Sequence, residues 1–233
     1  MFQIVKMDFE SDELIEQISR NEKKDTFGLI ICALFHKPKP IEFADFYHQL
    51  IDQLRMNFSD DEKQSIYLYP IEHLHITIST LYSFKFPWPQ SPDKCLQHWK
   101  ECFRKLKQSS HQGRIVLSID SIQLSKAAGY FLFKDETNGV TQFRESIRTI
   151  CVPEADQPAL QTPNIVHTSF LRFIRKPVDG KSLEEKFHRI CSEIVSKTNS
   201  ICLTIEEDCL AFDRHTYMHV DCDDAHVLDI IKF

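Results

Sequence analysis

Pro70-Ile71-Glu72-His73-Leu74-His75-Ile76-Thr77-Ile78-Ser79 and Pro163-Asn164-Ile165-Val166-His167-Thr168-Ser169-Phe170-Leu171-Arg172-Phe173 resemble one another, and their reading decides the fold. Both are apolar and rich in β-branched residues, so both predict strands. Each carries a histidine followed two places later by a hydroxyl residue: His75 with Thr77, and His167 with Ser169. Residues i and i+2 of a strand share a face. Each strand therefore offers an imidazole beside a hydroxyl. Two such pairs facing one another would supply an acid, a base and two hydrogen-bond donors around one small anion.

Outward from these strands, the elements fall into a repeated order. Residues 27–35 form a continuous apolar run that predicts a buried strand, which Pro38 and Pro40 end. A helix is expected over 41–56, with Phe43, Phe46, Tyr47, Leu50, Ile51 and Leu54 on one face. A polar loop over 57–64 leads to the first histidine strand, read as one element over 66–80. A Pro- and aromatic-rich loop over 83–92 precedes a helix over 93–107 and a strand over 115–124. The series then recurs: a strand at 130–134, a helix over 140–150 with Phe143 and Ile147 inward, the second histidine strand, and a helix to about 196 with Ser182 as N-cap. Strands over 200–212 and 217–220 close it. The expected architecture is α/β (α+β), with one domain over 1–233. Its two lobes, about 27–124 and 130–212, would be related by pseudo-twofold symmetry, preceded by an amphipathic helix over 8–25.

Composition narrows the class. The chain has 233 residues, 42% hydrophobic and 27% charged, which suits a soluble globular protein with a sizeable core. Only 5 glycines are present, and no Gly-rich phosphate loop. The net charge of −6 argues against long duplex nucleic acid but permits a small or single-ended nucleotide in a locally basic cleft. The 8 cysteines show no zinc spacing and mostly lie in apolar runs, such as Cys32 and Cys202. They read as reduced thiols of a cytoplasmic or nuclear protein. No membrane span or secretory signal is expected.

With 11 histidines, chance alone supplies about one His-x-[Ser/Thr]. The equivalent placement of both motifs in the repeat, and Arg172 soon after the second, raise them above chance. A pair of H-x-[ST]-x motifs in a duplicated α/β fold resembles the two-histidine (2H) phosphoesterase superfamily, the LigT-like and cyclic-phosphodiesterase-like proteins. His75-Ile76-Thr77-Ile78 and His167-Thr168-Ser169-Phe170 match its two motifs. His167-Thr168-Ser169-Phe170-Leu171-Arg172-Phe173 is similar to an extended form found in some members. Two departures stand out: Tyr82, not an arginine, follows the first motif, and the N-terminal helix lies outside the common pattern.

The resemblance implies antiparallel sheets lining a central cleft, helices outside, and metal-independent hydrolysis of 2′,3′-cyclic phosphates or related nucleotide and RNA phosphodiesters, with no cofactor. His75, Thr77, His167 and Ser169 would be catalytic. Among members His167 leans towards the attacking water and His75 towards the leaving oxygen. Arg172 would contact the substrate. Tyr82, Phe84, Phe86 and Trp88 could stack a base, with a hydrophobic flap as the plainer reading. Tyr130 and Phe170 are further binding candidates. His73 reads as a polar rim residue. A cyclic-dinucleotide hydrolase and a catalytically silent nucleotide- or RNA-binding module stay open, and a monomer is expected. The segment 213–226, with its His, Asp and Cys residues, reads as a polar turn and acidic stretch in preference to a metal site. Ser182-Leu183-Glu184-Glu185 reads as a capping box.

Overall fold

A computed structural model describes residues 8–20, 22, 25–33, 39–109, 114–197, 201–213 and 227–233. The first strand, β1 (Gly28–Ala33), is buried at every position. That is why its sequence shows no alternation: Leu29, Ile31 and Ala33 join the main core, while Ile30 and Cys32 form a small apolar cluster with Ala211 on the other face. It follows helix α1 (Glu13–Ser19), capped by the Asp12 carboxylate. Helix α2 (Ile41–Asn57) buries the six predicted residues, from Phe43 to Leu54. The expected loop after it instead holds a short helix, α3 (Asp60–Ser65). Ser59 and Glu62 form a reciprocal capping box there, and Lys186 and Ser182 satisfy the buried Glu62 carboxylate.

The first histidine stretch is broken. It comprises β2 (Ile66–Leu68), a 3-10 turn at Ile71–His73, and β3 (Ile76–Tyr82). Pro70 cannot extend the β2 ladder, and the turn begins immediately after it. Then come α4 (Pro92–Ser109), β4 (Ile115–Leu124), β5 (Ala128–Asp135), α5 (Gly139–Ile150), β6 (Val166–Phe173), α6 (Gly180–Lys197), β7 (Cys202–Ile205), β8 (Glu207–Asp213) and β9 (Val227–Lys232). Helix α6 starts earlier than expected. The Asp179 carboxylate accepts the Ser182 amide, so Ser182 sits inside the helix and does not cap it. Strand β9 was not anticipated, and residues 214–226, including the expected strand at 217–220 and most of the His/Asp/Cys stretch, lie outside the described residues.

The strands form two antiparallel sheets, ordered β3-β1-β8-β9 and β2-β6-β5-β4-β7. The α+β class and the duplication are as expected, but the lobe boundaries need correction. Strand β4 ends the first repeat yet pairs with β5 of the second. Strand β8 ends the second yet pairs with β1 of the first. Strand β2 joins β6 across the same divide. Each sheet therefore contains chain from both halves, and the divisions 27–124 and 130–212 are not separate lobes.

Aromatic side chains fill the space between the second sheet and its helices. Phe170 packs on Phe131 with ring centroids 4.7 Å apart and stacks with Phe187 at 6.2 Å, and Tyr47 meets it edge-on. Phe170 is fully buried. Its expected place as a substrate-binding residue is thus overturned: in β6 it points away from the face that carries His167 and Ser169, as alternation requires. Substituting Phe170→Ala should lower unfolding free energy by about 3–5 kcal/mol, read from urea denaturation. A loss under about 1 kcal/mol would contradict this placement.

Candidate active site

The two motif strands belong to different sheets, and one side chain ties them together. Arg144 lies on the inward face of α5, between Val140 and Ile147, and is itself buried. Its Nε donates to the Ile78 carbonyl at 3.1 Å. Its Nη2 donates to the Thr77 carbonyl at 3.3 Å and to the Ile165 carbonyl at 3.1 Å. The first two carbonyls belong to β3, beside His75 and Thr77. The third lies two residues before His167. A second tie is the reciprocal backbone pair of Thr80 and Gln161, at 2.8 and 3.0 Å.

Held this way, His75, Thr77, His167 and Ser169 line a single cleft of about 260 Å³. Arg172, Tyr82, Phe84 and Lys85 complete much of its wall, and His73 and Gln161 also reach it.

His75 sits one residue ahead of β3, just after the 3-10 turn. The turn brings the His73 carbonyl to 3.0 Å from its Nδ1. A carbonyl can only accept, so Nδ1 carries the proton and Nε2 is the basic nitrogen of the neutral ring. Burial is the main force pushing the His75 pKa down to about 4; the His73 carbonyl works against it, while Lys39 and His167 add repulsion. Lys39 is placed by its own bond to the Leu74 carbonyl, at 2.7 Å. The influence of His167 on His75 is a small part of that lowering. Burial also lowers the His167 pKa. The Ile165 carbonyl approaches that ring and opposes the shift, although Nδ1 makes no hydrogen bond of ordinary geometry; Arg172 and Arg144 add to the lowering. Both rings thus favour the neutral form. An arriving phosphate would favour imidazolium in each.

Arg172 lines the cleft together with Tyr69, whose carbonyl accepts the Tyr47 hydroxyl.

The other sequence candidates divide. Phe84 lines the cleft. Tyr82 lines it with its ring, but its hydroxyl donates to the Pro87 carbonyl at 2.6 Å and so braces the aromatic loop. Trp88 lies off the cleft wall, edge-on to Phe27 at 5.6 Å. Phe86, 40% exposed, packs edge-on against Tyr82. Of these four aromatic residues, Tyr82 and Phe84 line the cleft and Phe86 and Trp88 do not. Tyr130 is not a base platform on the cleft wall. Its ring stands edge-on to His167 at 5.6 Å, and its hydroxyl donates to Gln123 at 3.0 Å.

Sequence reasoning missed Arg144 and Lys39. Arg144 interrupts the apolar stripe Val140-Phe143-Ile147, and a charge at an inward helical position was the available signal. Lys39, between Pro38 and Pro40, was passed over as part of a strand break.

The sequence matches no protein-family model and no curated protein. Solved structures do match in fold. The chain superposes on Escherichia coli LigT complexed with 3′-AMP with a TM-score of 0.50 and 12% identity, covering 90% of this chain and 99% of that one. LigT complexed with NADP+ gives 0.52 and 13%, with the same coverage. TT0787 of Thermus thermophilus gives 0.50 and 12%, covering 88% and 97%. The chain has the LigT-like fold over nearly its whole length.

The depressed His75 pKa has a signed consequence for stability. Between about pH 4 and 6.5 the unfolded chain takes up a proton at this histidine that the native state refuses. This contribution therefore favours folding above pH 6.5 and is lost as pH falls towards 4. Urea midpoints for wild type and His75→Phe should diverge on acidification through that window, with wild type losing more. Parallel curves would contradict the neutral state of the part-buried His75.

Proposed function

We propose that this protein is a metal-independent phosphodiesterase that hydrolyses 2′,3′-cyclic phosphates or related phosphodiesters at RNA ends and in small nucleotides. One observation carries the reading: two imidazoles, two hydroxyl residues and an arginine line the same small cleft. In-line displacement at phosphorus needs a base for the attacking water and an acid for the leaving oxygen, on opposite sides. Two imidazoles meet that need when one is neutral and the other protonated. Thr77 and Ser169 are suited to donate to the non-bridging oxygens, and Arg172 to add a charge-assisted contact.

The order of proton affinity supports a division of labour. His75 carries the large downward shift and presents Nε2 unprotonated, so it fits the base that accepts the water proton. His167 then holds the proton destined for the leaving oxygen. This reverses the assignment that the family resemblance favours. The LigT structures bound to 3′-AMP and NADP+ support a nucleotide as the ligand class. The −6 net charge fits a small or single-ended substrate better than a long duplex.

The test is hydrolysis, with EDTA present, of nucleoside 2′,3′-cyclic phosphates, RNA ending in a cyclic phosphate, and cyclic dinucleotides. His75→Ala and His167→Ala should each lose roughly 10²- to 10⁴-fold in kcat on the active class. A nucleotide p-nitrophenyl diester needs little acid assistance, since its leaving group is already a weak base. On it His167→Ala should recover most of its activity and His75→Ala should not. Recovery by His75→Ala instead would restore the opposite assignment. Activity surviving both substitutions would sink the mechanism, and binding without turnover would leave a nucleotide-binding module.

A further inference from the structure

The cleft runs further along β3 than the two histidine motifs require. Plain alternation from Thr77 would put Ser79 and Leu81 on the cleft face. Both are buried instead, and Thr80 and Tyr82 line the cleft. The pairing with β1 gives the reason. Cys32 is opposite Thr77, Ile31 opposite Ser79, Ile30 opposite Thr80 and Leu29 opposite Tyr82, so β3 carries an extra residue at Ile78 and again at Leu81. Such bulges re-aim the side chains that follow. The first one carries the polar row on from Thr77 to Thr80, and Ile30 lines the cleft across from it.

This extension is polar and positively charged. Gln161, fixed by its reciprocal backbone pair with Thr80, lines the cleft, and its exposed carboxamide has no hydrogen-bond partner among the described residues. Lys85 follows in a turn that is already set. The Ser83 hydroxyl accepts the Lys85 amide at 3.3 Å, the Ser83 carbonyl accepts the Phe86 amide at 3.0 Å, and the Tyr82 hydroxyl holds the Pro87 carbonyl. The Lys85 side chain is exposed and makes no ion pair among the described residues, whereas Lys134 and Lys186 are paired with Glu136 and Glu62. The chain carries a net charge of −6. Even so, among the described residues no Asp or Glu lines this cleft, and Lys85 and Arg172 are its two permanent cations. His75 stands ahead of the start of β3 and Lys85 beyond its end at Tyr82. One phosphate at the histidines gives Arg172 a partner and leaves Lys85 without one.

We infer that the loop end of the cleft is a second phosphate subsite, with Lys85 as its cation and Thr80 and Gln161 as its hydrogen-bond donors. The inference rests on the phosphodiesterase reading and names its substrate class: a ribonucleotide chain end whose neighbouring phosphodiester occupies this subsite, in place of a free nucleoside cyclic phosphate. The terminal ribose of such an end carries the reacting phosphate on its 2′ and 3′ oxygens and the next phosphate on its 5′ oxygen, so one nucleoside bridges the two. Thr77 and Thr80 face the same cleft three residues apart, roughly 10 Å along a strand, which is the scale of that bridge. The Lys85 ammonium can give a charge-assisted bond to a phosphate oxygen. A hydroxyl and a carboxamide are donors of the kind that contact the phosphate backbone without reading sequence. The preset turn lowers the cost of ordering Lys85 on binding.

The experiment is calorimetric titration of the full chain with nucleoside 2′- and 3′-monophosphates, the matching 2′,5′- and 3′,5′-bisphosphates, and dinucleotides ending in a 2′- or 3′-phosphate. In wild type the second phosphate should tighten binding about tenfold, in bisphosphate and dinucleotide alike. Lys85→Gln should bring that ratio close to one, and Lys85→Arg should keep most of it. The ratio should also shrink as salt is raised. Equal affinity for mono- and bisphosphates in wild type, a ratio that survives Lys85→Gln, or binding of neither ligand would overturn the inference. A gain for the bisphosphates with none for the dinucleotides would overturn the chain-end assignment in favour of a 5′-phosphorylated mononucleotide. Binding needs no turnover, so the two readings fail separately. Hydrolysis without the affinity gain removes the subsite alone, and the gain without hydrolysis removes the phosphodiesterase reading alone.

Discussion

The Arg144 guanidinium, shared among the carbonyls of Thr77, Ile78 and Ile165, is the constraint on which the cleft depends. A buried charge is costly unless its donors are satisfied, and here backbone carbonyls satisfy them. Three carbonyls on the two motif segments gain a charged partner. The gain is geometric as well as energetic. A planar fork fixes direction, so the strand of His75 and the approach to His167 are set in angle as well as distance. Two carboxylates act on it from a distance, Asp135 and, less strongly, Asp208, and among the described residues neither forms a salt bridge with it. Asp208 is wholly buried without a hydrogen bond to its carboxyl, and burial raises its pKa to about 7, with Arg144 pulling the other way. The guanidinium is thus stabilised chiefly by dipoles, which leaves its orientation to the two strands it joins.

The strand exchange makes that joint necessary. Because β4 and β8 each cross to the opposite sheet, the two repeats cannot come apart as lobes. The histidine strands, however, are not paired with each other as a ladder. Strand β3 is the end strand of its sheet, and β6 lies between β2 and β5 in the other. Among the described residues, side-chain and loop contacts join the motifs, and Arg144 and the Thr80–Gln161 pair are two of these. A guanidinium inserted from α5 does what a ladder does elsewhere, while leaving the facing side chains room for a ligand.

Much of this was legible in the chain. The apolar face of α2, the both-sided burial of β1 and the repeated order of elements follow from periodicity, which responds to local burial. The paired His-x-[Ser/Thr] stretches pointed to the cleft residues because alternation in a strand is a local rule. The misses share a different cause. Strand exchange is a long-range choice that no window of sequence contains. Helix α3 was hidden by its short, polar sequence, although Ser59 and Glu62 spelled a capping box. Phe170 reads as a binding candidate, although alternation already sends it to the core. Arg144 and Lys39 act through backbone carbonyls, and a partner without a side-chain signature leaves no trace in the sequence of the partner.

The central claim is that one phosphate meets both imidazoles. The most direct measurement is a nitrogen-15 histidine NMR titration with nucleoside 2′- and 3′-monophosphates, the two products open to the proposed hydrolysis, which need no turnover. Simultaneous movement of the His75 and His167 ring resonances towards the imidazolium range, saturating at one ligand per chain, is the predicted result. Movement of one ring alone, or of neither at saturation, would contradict the account.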